Sequence, residues 1–116
     1  METILTVEES NISTFATNTI TGSKKITFKN SDDVTQWSAT LKGTFTYTGS
    51  SATCTSASVS YSIENSKWKI TTADASRSGN KAIGDVVAKR YALAIVPVQT
   101  VEETITITCT ATGSLS

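Results

Sequence analysis

Trp37-Ser38-Ala39-Thr40-Leu41-Lys42-Gly43-Thr44-Phe45-Thr46-Tyr47 decides the fold of this chain. Trp37, Ala39, Leu41, Gly43, Phe45 and Tyr47 share one parity, and Ser38, Thr40, Lys42, Thr44 and Thr46 share the other. A period of two belongs to a β-strand with one buried face and one wet face. Gly43, inside that run, marks a bulge or a bend. The stretch Thr104-Ile105-Thr106-Ile107-Thr108-Cys109-Thr110-Ala111-Thr112 repeats the pattern near the other end of the chain.

Working outward, Gly49-Ser50-Ser51 supplies a hairpin turn, and the chain returns through 52–63 with Ala57, Val59, Tyr61 and Ile63 on one face and serines opposite. Cys54 falls on the serine parity, whereas Cys109 shares its parity with Ile105 and Ile107. For both sulfurs to face the core, the first strand must break register between Cys54 and Ala57, as a β-bulge does. Upstream, Lys25 to Lys29 alternates and Asn30-Ser31-Asp32-Asp33 is a turn cluster. Glu64-Asn65-Ser66 turns the chain into a short strand with Trp68 and Ile70 inward, and Arg77-Ser78-Gly79-Asn80-Lys81 is a loop. The faces of 83–90 are mixed, and Pro97 should end the following strand or put it at an edge. Residues 1–23 read as a loosely packed N-terminal extension with strand-like stretches around Ile4 and Phe15.

No window fits a helix. Seven or eight strands at spacings of about 10 residues indicate a single all-β domain, an antiparallel β-sandwich. Thr and Ser make up about a third of the chain, but a single Pro and the apolar residues between the threonines favour folded strands over a glycosylated stalk.

The formal net charge is +0, from 10 basic and 10 acidic residues, which argues against nucleic acid as a partner. No apolar run is long enough to span a bilayer. Histidine is absent, which removes Ser-His-Asp and Cys-His catalysis and imidazole metal ligands. The two cysteines fit no zinc spacing, and no cofactor is expected. A Cys54–Cys109 disulfide would close a loop of about 55 residues and contribute roughly 4 kcal/mol; the alternative is two buried free thiols. The disulfide reading puts the domain in an extracellular or cell-surface setting. No leader is visible in the first residues, so an exported protein would be represented here by its mature part.

Other chemistry weighs less. Glu102 and Glu103 are strand neighbours and point to opposite faces. Asp32 and Asp33 form a solvated turn more readily than a calcium site. The Thr-x-Thr rows resemble ice-binding surfaces but read better as a wet sheet face. Trp37 and Trp68 share parity with apolar neighbours, which favours the core over sugar stacking. Asn11-Ile12-Ser13 is an N-glycosylation sequon.

The order Cys54, Trp68, Cys109 resembles the immunoglobulin pattern of Cys, Trp and Cys, with Ile107 where that pattern has tyrosine. It implies an immunoglobulin-like topology. Gly43-Thr44-Phe45-Thr46-Tyr47, Ala52-Thr53-Cys54, Trp68-Lys69, Ser76-Arg77-Ser78-Gly79-Asn80, Lys89-Arg90-Tyr91 and Thr108-Cys109, in that order over residues 35–113, resemble small secreted Thr/Ser-rich two-cysteine proteins of Gram-positive bacteria. That resemblance implies export and carries over no catalytic or binding residue.

The function expected is a non-enzymatic secreted or cell-surface interaction domain whose partner is a protein or a glycan. Function on rigid sandwiches concentrates in loops, which puts Asp32, Asp33, Asn65, Arg77 and Asn80 forward as binding residues. A small carboxylate-dependent hydrolase and a secreted effector or toxin are the alternatives.

Overall fold

A computed structural model describes residues 2–10, 18–93 and 96–116. The sequon at 11–13 lies outside the described residues, as do Phe15 and Thr17 of the second strand-like stretch, whereas Thr19 and Thr21 of that stretch are described and lie in a strand. Seven strands run in order: β1 (Glu2–Ser10), β2 (Asn18–Lys29), β3 (Thr35–Tyr47), β4 (Ala52–Ile63), β5 (Trp68–Ser78), β6 (Lys81–Leu93) and β7 (Val96–Thr108). They form two antiparallel sheets, β1-β2-β3-β4 and β5-β6-β7. The all-β sandwich architecture is thus as the alternation predicts.

The strand order corrects the immunoglobulin-like expectation. Each strand pairs only with its neighbours in sequence, so both sheets are meanders. An immunoglobulin sandwich exchanges strands between its sheets and pairs strands distant in sequence. The Cys, Trp, Cys order arises here from a different connectivity, in which the chain changes sheet once, between Ile63 and Trp68.

The sheets face one another through the predicted apolar parities. Ile20 and Ile26 of β2 and Trp37, Ala39, Leu41 and Phe45 of β3 are buried against Ala82, Val86 and Ala88 of β6 and Ile105 and Ile107 of β7. The mixed face of β6 resolves into Ala82, Gly84, Val86 and Ala88 inward, because β3 already fills the gap with Trp37, Leu41 and Phe45. The approach is close. A Cβ on Gly43 would lie 2.8 Å from that of Ala82, and one on Gly84 would lie 2.8 Å from Val59 Cγ2. Gly43 therefore marks a close crossing of the sheets.

The sandwich has two distinct ends. One gathers the β2–β3 connection, the β4–β5 connection and the start of β7. The other gathers the β3–β4 and β5–β6 hairpins and the C-terminal residues. The molecule is elongated, 56 × 24 × 16 Å, so these ends are well separated. Pro97 sits in edge strand β7, paired with Tyr91 through an irregular register. The last strand ends at Thr108 rather than Thr112. Cys109 bridges back to Leu115 across a turn in which Gly113 has φ 89°, a conformation that favours glycine. β1 pairs along its length with β2, and among the described residues it packs on no other strand.

Candidate functional site

The loops singled out from sequence divide between the two ends. At the first end the structure brings 30–34 and 64–67 together. Asn30 Oδ1 accepts from the backbone N–H groups of Asp32 (2.9 Å) and Val34 (3.0 Å), which tightens the first loop. Asn65 Oδ1 accepts from Lys67 N–H (3.0 Å) and shapes the second. Asp33 adopts φ 63° and reaches Lys29 at 3.6 Å, and both Asp32 and Asp33 remain at the exposed tip.

Gln36 ties the loops together. Phe28 pairs with Trp37 and Lys29 with Thr35, so Gln36 is the extra residue of a bulge. It is only 5% exposed. Its Nε2 donates to Val34 O (2.9 Å), its Oε1 accepts from Asn65 Nδ2 (2.7 Å), and its backbone carbonyl accepts from the N–H groups of Glu64 (2.9 Å) and Asn65 (3.1 Å). Sequence reasoning missed Gln36, since a bulge at the start of a strand leaves no mark on the two-residue period.

Between these loops the two sheets part, leaving a cleft of about 450 Å³. Phe28 and Trp68 form its apolar wall. They belong to an aromatic trio with Trp37: Phe28 stacks on Trp37 at 5.7 Å, and Trp68 lies tilted at 5.1 Å from Phe28 and 6.3 Å from Trp37. Both tryptophans are core residues, at 0% and 2% exposure, as their parity predicts. Neither indole N–H has a hydrogen-bond partner, which is uncommon for a buried donor. The polar wall combines Asn30, Gln36 and Asn65 with Lys29, Lys67 and Arg90, and among the described residues no carboxylate lines it. Arg90 pairs across β6 and β5 with Trp68, and with Gln99 on β7, so both polar residues carry the core-facing parity into the mouth of the sandwich.

At the opposite end lie Arg77, Asn80 and the two cysteines. Arg77 Nη1 donates to Thr55 O (2.9 Å), and Asn80 Nδ2 donates to Cys109 O (2.7 Å). Both serve as ties in the scaffold. The supposed loop 77–81 is a tight turn of Gly79 and Asn80, with Gly79 at φ 57°. Its consecutive carbonyls accept from Cys54 N–H (2.8 Å) and Cys109 N–H (3.0 Å), which draws the two cysteine-bearing segments to one turn.

Cys54 and Cys109, 4% and 0% exposed, stand as free thiols and not as the expected disulfide. Each S–H donates to a backbone carbonyl, Cys54 to Ser56 (3.4 Å) and Cys109 to Thr110 (3.3 Å). Burial pushes both thiols above their ordinary value of 9.0, and Cys54 adds to the rise at Cys109. Cys54 faces inward because Thr44 pairs with Ser56 while Phe45 pairs with Cys54, leaving Thr55 as the extra residue. That is the register break the cysteine parities require.

The acidic residues of the late strands are dispersed. Asp85 is exposed and accepts from Thr104 Oγ1 (2.9 Å), Glu102 shares its outer face, and Glu103 takes the inward parity. Among the described residues no group of three or more His, Cys, Asp or Glu side chains could hold a metal ion, and no helix is long and apolar enough to cross a membrane. No family model, curated protein or solved structure matches this chain.

Proposed function

We propose that this chain is a non-enzymatic interaction domain, secreted or held at a cell surface, which binds its partner through the cleft between loops 30–34 and 64–67. The observation that carries this reading is the Gln36–Asn65 hydrogen bond of 2.7 Å, which fixes two loops from different strand pairs as rigid walls of one cleft. Preformed walls spare a ligand the cost of ordering them, and mostly preformed clefts of this size commonly hold small molecules. The partner expected is a protein or a glycan.

The setting outside the reducing cytosol is part of the same proposal. Cys54 and Cys109 stand as free thiols in this structure; in an oxidising compartment they would pair, giving up two protons and two electrons to a disulfide-donating oxidoreductase. Their attachment to consecutive carbonyls of the Gly79-Asn80 turn supports this pairing. The test is glycan and protein array screening of the oxidised domain. Reproducible hits that fade when Asn65→Ala loosens the cleft support the reading. No hit under native conditions counts against it. Non-reducing intact mass, lighter by two hydrogens, checks the disulfide independently.

A further inference from the structure

The polar atoms of the cleft are unevenly committed. Its amide acceptors are largely spent on the protein itself. Asn30 Oδ1 takes two backbone N–H groups, Asn65 Oδ1 takes Lys67 N–H, and Gln36 Oε1 takes Asn65 Nδ2. The charged side chains that line the cleft, Lys29, Lys67 and Arg90, are all cationic. Among the described residues, the Lys67 ammonium and the Arg90 guanidinium have no hydrogen bond or ion pair with the protein, and no carboxylate lines the cleft to neutralise them. Arg90 is half-buried on the core-facing parity beside Trp68, where its charge is less screened than on an open surface. A half-buried guanidinium without a partner keeps unmet donors, and an anion would satisfy them.

We infer that the cleft is an oxyanion site and takes an acidic sugar, with its carboxylate or phosphate held between Lys67 and Arg90. The guanidinium fork matches both anions, and the remaining donors, such as Asn30 Nδ2 and Ser31 Oγ, suit ring hydroxyls. The chain as a whole is neutral, so this charge is local. It steers an anionic ligand to one end of an elongated molecule. The inference rests on the proposal that the domain binds through this cleft, and it adds the charge class of the ligand.

Calorimetric titration of the whole domain with glucuronate, glucose 6-phosphate and glucose tests it. Both anions should bind, and neutral glucose should bind at least about tenfold more weakly. Lys67→Gln, at an exposed position, and Arg90→Gln should each weaken the anions by about tenfold or more, the size of one charged hydrogen bond. Lys42→Gln, on the outer face of β3, should change nothing. The stronger of the two anions identifies the oxyanion. Equal binding of glucose and glucuronate overturns the charge assignment while leaving a binding cleft in place. Anion binding unaffected by Lys67→Gln puts the site elsewhere. No binding of either anion by folded protein overturns the inference outright, and array hits by neutral ligands would then show that the interaction reading survives it.

Discussion

Phe45 and Cys54 are cross-strand partners, although the next pair along is Thr44 with Ser56. The strand β4 absorbs Thr55 as a bulge, and its two halves face the same way on either side. Removing Thr55 therefore leaves Ser56 outward and Cys54 inward. We predict that the Thr55 deletion folds with its thiols still protected. It should lose the Thr55 Oγ1 bond to Thr44 O and the Arg77 bond to Thr55 O, costing about 1–2 kcal/mol. Urea unfolding and the rate of thiol alkylation check this; rapid alkylation of Cys54 would contradict the face assignment.

The reduced domain should lose stability in alkali. Burial raises both thiol pKa values above the ordinary 9.0, so the folded state holds protons that the unfolded state has released. Their stabilising effect is complete below pH 9.0 and is lost as pH rises from there through the folded-state values. Denaturation curves between neutral pH and pH about 11 should show this fall. The oxidised domain and the Cys54→Ala/Cys109→Ala variant should not share it. An identical fall in all three would assign it to other groups.

Sheet spacing depends on Gly43. Its added Cβ would sit 2.8 Å from Ala82 Cβ, an atom fixed to the backbone of the opposite sheet that cannot swing aside. Gly43→Ala should cost about 1–3 kcal/mol through overpacking. Gly43→Ala with Ala82→Gly should recover much of that, a coupling that a double-mutant cycle measures. Additive losses would mean that the two positions do not define the gap.

Trp37 is fully buried with an unpaired indole N–H. Phenylalanine removes that donor and keeps the ring beside Phe28. The loss of apolar volume and the relief of an unsatisfied donor oppose one another, the latter amounting to about 1–3 kcal/mol. Trp37→Phe should therefore cost well under the roughly 3–5 kcal/mol of a truncation to alanine. Equal costs for the two variants, read from urea midpoints, would contradict this.

What the sequence made legible was whatever periodicity records. The alternation of 37–47 set the central strand, and conflicting parities at Cys54 and Cys109 located a bulge between Cys54 and Ala57. Strand order was not legible, because the Cys54, Trp68, Cys109 order fits more than one connectivity. Nor were the faces of β6, whose inward residues are small only because Trp37, Leu41 and Phe45 stand opposite. The cleft was half visible. Asn65 and the 30–33 turn carried turn chemistry, whereas Gln36 hides in a bulge and Arg90 is a charge on a core-facing parity. Arg77 and Asn80 looked the same in sequence but brace the cysteine end.

The central claim is that ligand binds at the aromatic end of the sandwich. Amide and indole ¹H–¹⁵N spectra recorded during titration with glucuronate test it most directly. Saturable shifts are expected at the residues that line the cleft, Asn30, Ser31, Asn65, Lys67 and Arg90. Shifts centred on Gly79 and Asn80, or none at saturating ligand, would contradict it.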